Sequence, residues 1–432
     1  VWGKAPANHL MIMIICPGGS VKIAISVGDI RVCVEGGAEK GGCFFLPEIL
    51  PSFPIYLIRN RREGRSVMRR RLARLLACPE CRADLKLFEF FQEDDDEIID
   101  GYLYCPACDR GFMIAGGIPR MLGSRLYRNE GFRQRYRARI RQIHRGRDSE
   151  RAGFQGDDPV GHKANTMESF GWEWLTYDRF GWEAKTKDGL WGAENERERF
   201  FANTLFEPEE LAGKLMLDGG CGNGRYMAQC LEHGAEAVGV DLSPAVEAAQ
   251  RNLKGHRRAH FVQGDLFCLP FRRQTFDLVF SIGVLMHTGD PQRAFRSLAG
   301  CVKKGGGMGI SVYQKQNPLH EFNDRWIRAF TTRFPKRFLR EASRVTAQAA
   351  QGIWRLRLLG LINAFCRLEP YELCVFDWYN APIATHHTVK EVRGWFGEAG
   401  TRQILETQKV DPRSRLRKWI WPGCGFTMRG NM

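Results

Sequence analysis

The sequence predicts an α/β protein whose larger, C-terminal part is an open parallel sheet wound with helices. Two observations predict it. From about Pro208 onward, short apolar runs alternate with helix-length stretches, and the runs end in an acid or close to a glycine: Lys214–Asp218, Ala237–Asp241, His260–Asp265, Phe276–Ile282 and Met308–Tyr313. The first run feeds straight into a glycine-rich turn, Asp218-Gly-Gly-Cys-Gly-Asn-Gly224, and then a helix. Glycine is needed where a backbone bends sharply and where a ligand must come close.

At 432 residues the chain has room for two or three domains. A composition of 44% hydrophobic and 26% charged residues is that of ordinary globular protein. The net charge of +15 suits nucleic acid, an anionic membrane surface or an acidic substrate without choosing among them. The apolar run Leu10–Cys16 is far below the roughly 20 residues a membrane span needs. Cys43–Ile58 is longer but is interrupted by Glu48 and three prolines. With no convincing secretory signal, a cytoplasmic protein is expected, and paired cysteines there read as metal ligands rather than disulfides.

Residues 1–67 carry no motif. Val21–Val34 alternates like a strand or hairpin, and Met68 directly precedes the first recognisable domain. Two readings stand: upstream read-through before a natural start near Met68, or a genuine small β-rich extension. Residues 68–124 form a cysteine-bearing module. Residues 125–207 are a linker or lid, opening with Arg125–Arg147 and its nine arginines. Phe132, Tyr136, Ile140 and Ile143 make one helical stripe there, with arginines on the other faces. An aromatic segment, Ser169–Trp182, follows. Residues 208–432 hold the α/β sheet. A helical insert at 318–370, a helix at Thr388–Ala399, and strands at Gln403–Val410 and Gly425–Arg429 complete it.

The acids decide what the glycine turn holds. A carboxylate at Asp218, before the glycines, would repel pyrophosphate but suits the ammonium of a methionine moiety. Asp241 ends the next strand, where it can accept both ribose hydroxyls, and Asp265 ends the third, within reach of an adenine amino group. The three lie 23 and 24 residues apart, one βα unit each, so all fall on one edge of the sheet. A strand-end aspartate alone is ordinarily a turn residue; three of them beside GxGxG argue for S-adenosylmethionine. GxGxG in place of GxGxxG disfavours a nicotinamide dinucleotide.

On Leu217–Arg225, Gly239–Ser243 and Phe276–His287 the chain resembles the class I S-adenosylmethionine-dependent methyltransferases, of the type 11-like group. The likeness extends more loosely to Thr388–Gly400. It implies a Rossmann-like seven-stranded sheet. It also implies that Gly220, Gly222 and Gly224 hold the methionine end, Asp241 the ribose, and Asp265 with Leu266 the adenine. Cys221, Leu242, Ile282 and Gly283 then complete the cofactor site. The cofactor carries its own electrophile, so a base is needed only for an acceptor of high pKa. His287, just past the fourth strand, is the candidate base, with packing as the equal alternative. Some relatives have a histidine or aromatic residue just before it, where this chain has Met286. His386 and His387 are further candidates, read first as helix N-terminal structure.

Cys78-Pro-Glu-Cys81 and Cys105-Pro-Ala-Cys108, with 23 residues between the pairs, form a strong tetrahedral zinc signal with no open catalytic position. Residues 75–122, down to Gly117-Ile-Pro-Arg-Met-Leu122, resemble the zinc-binding activator subunits of tRNA methyltransferases, which implies a module docked in cis on its own catalytic domain. The acidic insert Glu93–Asp100 reads as a solvated loop. For the acceptor, the apolar stretch 353–365 and the aromatics Phe170, Trp172, Trp174, Phe180 and Trp182 favour a lid over a small-molecule or lipid-like metabolite. RNA is the alternative, through the arginine helix and the resemblance of the fused architecture to rRNA guanine methyltransferases, although the aromatics do not interleave with those arginines as base stacking would want. The arginine face also suits contact with anionic lipid at a membrane periphery. A cofactor-binding scaffold without turnover is the third reading.

Overall fold

The computed structural model describes residues 9–16, 19–26, 29–34, 67–94, 96–123, 126–127, 129–146, 162–182, 193–355, 362–363, 365–408 and 425–432. The chain divides into two compact units, 1–64 and 65–432. In the first, strands β1 (His9–Cys16), β2 (Gly19–Ser26) and β3 (Asp29–Val34) pair antiparallel. Val21–Val34, expected as a strand or a hairpin, forms the hairpin β2–β3, with Val21 opposite Val34.

The second unit is built on one twelve-stranded sheet. Its C-terminal part contains β9 (Leu215–Gly219), β10 (Glu236–Asp241), β11 (Ala259–Gly264), β12 (Phe276–Ile282), β13 (Val302–Tyr313), β14 (Arg402–Gln408) and β15 (Gly425–Asn431). They run in the order β14-β15-β13-β12-β9-β10-β11. Strands β9 to β13 are parallel, and β15 is antiparallel to both its neighbours. Because β9 pairs with β10 on one side and β12 on the other, the winding reverses at β9, which opens a crevice above its C-terminal end. Leu217, Val238, Val240, Val262 and Val279 from these strands are fully buried, as a sheet covered on both faces requires. Helices α5 (Arg225–Glu232), α6 (Ala245–Asn252) and α7 (Pro291–Ala299) connect the parallel strands.

β13 begins six residues before the apolar run that announces it. Gly305, Gly306 and Gly307 carry no strand signal, but the backbone continues to pair, and a Cβ on Gly306 would lie 2.5 Å from the Asp277 carbonyl. The expected helix near the C-terminus is Val389–Glu398, opened by a capping box between Thr388 and Glu391.

The cysteine module supplies β4 (Met68–Arg69), β5 (Lys86–Asp94), β6 (Glu97–Cys105), β7 (Arg110–Ala115) and β8 (Ile118–Met121), with helix α1 (Arg70–Leu75). It is not a separate layer. β8 pairs parallel with β11, Arg120 opposite Gln263 and Met121 opposite Gly264, so the module extends the C-terminal part of the sheet at its free edge. Arg120 donates to Gln263 at 2.8 Å and to Glu247 at 2.8 Å, and Arg82 donates to the Leu269 carbonyl at 2.6 Å. Docking in cis thus runs through the backbone, which blunts a sheet edge that would otherwise be open.

The acidic insert is not a solvated loop. β5 runs to Asp94 and β6 starts at Glu97, and the two pair up to that point. Asp100 is buried and accepts from the Tyr136 hydroxyl at 2.8 Å. Tyr136 lies on α2 (Glu130–Ile143), whose Phe132 and Ile140 pack on Tyr102 and Met113 of the module while Arg135, Arg137, Arg139 and Arg141 face solvent.

The aromatic segment forms α3 (His162–Thr176), followed by α4 (Ala193–Thr204). The insert contains α8 (Pro318–Thr331) and α9 (Lys336–Arg355), then α10 (Glu372–Asn380), and the capped helix at Val389–Glu398 is α11. Residues 356–361 and 364 of the expected apolar lid lie outside the described residues. Among the described residues, no helix is long and apolar enough to cross a membrane.

Candidate functional site

The crevice above β9 deepens into a cavity of about 300 Å³. One wall is the glycine turn and the strand ends; the other is α3 and α10. The turn needs glycine for steric reasons. Gly220 has φ +92°, and a Cβ there would sit 2.4 Å from the Val284 side chain. The amides of Gly220 and Cys221 both donate to the Val240 carbonyl, at 2.7 and 3.1 Å, which pins the turn to β10.

All of the residues expected to hold the cofactor line this cavity except Asp218 and Gly224. Gly224 (φ +82°) starts α5, and a Cβ there would lie 3.1 Å from the Ala249 Cα, so it permits helix α6 to approach rather than touching ligand. Asp218 sits behind the turn at 3% exposure, with Oδ2 buried and unpartnered. Burial, and then the neighbouring Asp241 charge, holds its carboxyl well above the usual range.

Asp241 is engaged by the protein itself. Oδ1 accepts from the Ser243 amide (2.8 Å) and hydroxyl (2.7 Å), and Oδ2 accepts from the Gly222 amide (2.9 Å). A carboxylate offers about four acceptor positions. One is left, enough for one ribose hydroxyl rather than the two expected. Asp265 accepts from the Phe267 amide at 2.9 Å and forms an ion pair with Lys163 of α3 at 2.6 Å.

The opposite wall is aromatic, with Phe170, Trp174 and Phe180 facing the cavity, while Trp172 packs on Phe376 and Trp182 joins the core beneath α5. His287 lies in a short 3-10 turn after β12, at 4% exposure, between Phe170 and Tyr313 at 4.9 and 5.4 Å between ring centres. Its Nδ1 is 2.7 Å from the Ile383 carbonyl, which fixes the proton on Nδ1. Nε2 is buried with no partner. Burial pushes the imidazole down to about 3. It is therefore neutral, with a free lone pair in the cavity.

Sequence reasoning missed two carboxyls on this wall. Glu173 of α3 is fully buried, and Asp377 of α10 faces it closely enough to share a hydrogen bond. Glu173 Oε2 accepts from Asn380 at 3.2 Å, but Oε1 has no partner unless one carboxyl is protonated. Burial holds both above the ordinary carboxylate range, so the pair keeps a proton. Tyr313 donates weakly to Asp377 at 3.5 Å. No local spacing joins positions 173 and 377, so only the folded chain reveals the pair.

His386 and His387 do not line the cavity. His387 pairs with Glu391 and Thr385, each at 2.8 Å, as a helix N-terminal residue. His386 pairs with Glu321 at 2.8 Å and stacks on Trp378.

The four cysteines of the module converge. Their Sγ atoms all lie within 4.8 Å of one another, with Cys78–Cys108 at 3.6 Å and Cys81–Cys105 at 3.4 Å. A tetrahedron with zinc–sulfur bonds of about 2.3 Å has edges of about 3.8 Å, so the donor set fits that ion.

Residues 217–310 match the family model of a methyltransferase domain. The chain carries a methyltransferase domain. Residues 69–117 match the model of a Trm112p-like protein. A tRNA U34 carboxymethyltransferase of Pseudomonas aeruginosa is 42% identical over 102 residues, 22% of this chain and 31% of the relative. A ubiquinone biosynthesis O-methyltransferase of Coxiella burnetii is 31% identical over 107 residues, 24% of this chain and 46% of the relative. The chain thus spans less than half the length of either. A chain from a solved complex containing the Haloferax volcanii Trm112 methyltransferase activator aligns with 61% of this chain and 97% of its own length, at 15% identity and a TM-score of 0.36.

Proposed function

We propose that the chain transfers the methyl group of S-adenosylmethionine to RNA. The observation that carries the donor is the glycine turn and the strand-end acids Asp241 and Asp265 meeting around one cavity. Gly220 and Gly222 would take the methionine end, Asp241 one ribose hydroxyl, and Asp265 with Leu266 the adenine. The cofactor supplies an electrophilic methyl group, so the protein's task is alignment and exclusion of water. The neutral His287 Nε2 would accept the hydrogen bond of the acceptor's nucleophile and hold it in line. Four cysteines with no open position suit a structural zinc ion.

RNA as acceptor draws on the tRNA enzyme among the relatives, on the Trm112p-like module continuous with the sheet, and on the exposed arginines of α2. A second reading, a small apolar or lipid-like metabolite, is favoured by the aromatic wall of the cavity and by the ubiquinone-pathway relative. The identities weigh toward RNA, 42% against 31%. The test offers methyl-labelled S-adenosylmethionine with separate RNA, lipid and small-metabolite extracts to the full chain carrying one zinc. Label in RNA is expected. Label only in the lipid or metabolite fraction moves the assignment to the second reading, and label in none returns the chain to a cofactor-binding scaffold.

A further inference from the structure

The helical insert exposes what a soluble surface ordinarily hides. Phe322, Trp326, Phe330, Phe334 and Phe338 are 60, 55, 56, 43 and 57% exposed. The first three recur every fourth residue on α8, so they stand on one face about 6 Å apart along the axis. Their rings keep that spacing, with centroids 6.1 Å apart for Phe322–Trp326 and 6.4 Å for Trp326–Phe330, the latter pair within 25° of parallel. Contiguous exposed apolar surface of this kind marks an interaction site.

Arginines interleave with the rings. Arg325, Arg333 and Arg337 are exposed, and none forms an ion pair among the described residues. Asp324 is the one acid between positions 322 and 340, and it is buried. It accepts from Arg328 at 2.8 Å and from the Trp378 indole at 2.6 Å, clamping the inner face of α8 to α10. The free face of α8 carries Leu319, Phe322, Trp326 and Phe330 with Arg325 beside them, and the turn and the start of α9 continue the surface with Arg333, Phe334, Arg337 and Phe338. A helix lying in a lipid interface separates them, with rings on one face and charge on the other. Rings spaced along a track with unpaired cations between them are what a single nucleic-acid strand requires, bases on π-faces and phosphates on arginines.

We propose that the outer face of α8 and the start of α9 is a docking surface for single-stranded RNA. It rests on the RNA reading of the acceptor and deepens it. α10, to which α8 is clamped, also supplies Leu373, Cys374 and Asp377 to the cavity wall, so a strand held on α8 lies one helix away from the site of transfer.

The test uses the full chain and a fluorescein-labelled oligouridylate of about 15 nucleotides, read by anisotropy. The triple variant Phe322→Ser/Trp326→Ser/Phe330→Ser is expected to bind at least about thirtyfold more weakly. Its unfolding temperature and S-adenosylmethionine affinity are expected to stay those of the parent. The variant Arg325→Gln/Arg333→Gln/Arg337→Gln is expected to lower the slope of log affinity against log salt by about 2. Parental RNA affinity in the ring variant overturns the proposal. So does a ring variant that loses only binding to phosphatidylglycerol vesicles, or only self-association, with RNA affinity unchanged. Methyl transfer separates this inference from the acceptor reading. RNA methylated equally well by the ring variant leaves the acceptor reading standing and removes the docking surface. RNA bound through the rings but never methylated does the reverse.

Discussion

The two walls of the cavity are built on opposite plans. At Asp241 and Asp265 the strand-end wall is locally satisfied. Asp241 is tied to its own turn through Ser243 and Gly222, and Asp265 caps the residues that follow it through the Phe267 amide. The helical wall is locally unsatisfied. Glu173 Oε1 is buried without a partner, and Glu173 and Asp377 keep a proton between them because both are desolvated, while His287 Nε2, also unpartnered, faces this wall from the turn after β12. A satisfied wall is rigid and specific for a ligand that is always the same. A wall with open hydrogen-bonding capacity is high in energy until something fills it. The difference supports the proposal that the first wall takes the donor and the second the acceptor.

The largest expected effect breaks the strand-end wall. Gly220→Ala places a Cβ 2.4 Å from Val284 at φ +92°. The backbone strain alone costs about 1–3 kcal/mol, and the clash adds to it. The variant is expected to lose several kcal/mol in urea unfolding and about a hundredfold in S-adenosylmethionine affinity by calorimetry, about 2.7 kcal/mol. Gly394→Ala on α11 is the control. A Cβ there meets nothing within 4 Å, and the change is expected to be neutral or to stabilise by up to about 1 kcal/mol. Equal losses in the two variants would remove the special standing of the turn.

That contrast also explains what the sequence discloses. The strand-end wall is legible because its chemistry is sequential: Asp241 and Asp265 sit where apolar runs stop, one βα unit apart, and β12 occupies Phe276–Ile282 as its pattern reads. The capping box at Thr388 and Glu391 is legible for the same reason. Glu173 and Asp377 meet only when α3 and α10 pack, so no spacing announces them. Pairing of β8 with β11 is a tertiary event between strands far apart in sequence, although the segment that does it, Ile118–Met121, is the end of a recognisable module. The insert is legible only in part. The sequence reads 318–370 as a helical insert, but only packing shows that α8 buries the Asp324–Arg328 face and exposes its rings.

A smaller effect probes the open wall through pH. His287 is held down to about 3 in the folded protein, against 6.5 for an ordinary histidine. The unfolded chain therefore takes up the proton first. The stability contribution of His287 is fully present above pH 6.5 and is lost progressively as pH falls toward 3. His287→Asn removes that slope. Between pH 7.5 and 4.5 the parent is expected to lose about 2–3 kcal/mol more than the variant in urea unfolding. Parallel losses would mean that the imidazole is solvated. Glu173 works in the opposite sense, since its carboxyl is held above the ordinary range, first by burial and then by Asp377. Its contribution is present at low pH and is lost as pH rises through the folded value, so the two groups bracket the pH range in which the empty wall is tolerated.

The smallest effect concerns a charged contact that joins the two walls. Lys163 of α3 reaches across to Asp265 at 2.6 Å, with its ammonium 4.8 Å from the Phe267 ring centre, and both charged side chains are 11% exposed. The pair can act as a latch that holds α3 over the bound donor, or it can compete with adenine for the Asp265 carboxylate. Asp265 has acceptor capacity left after Lys163 and the Phe267 amide are served, so the two contacts are compatible and the latch follows. Lys163→Met keeps the stem and removes the charge. Its S-adenosylmethionine affinity is expected to fall about fivefold, about 1 kcal/mol, in keeping with a mostly buried charge-assisted hydrogen bond. A rise in affinity would show that Lys163 occupies the adenine's place, and the two walls would then be rivals for Asp265 rather than partners.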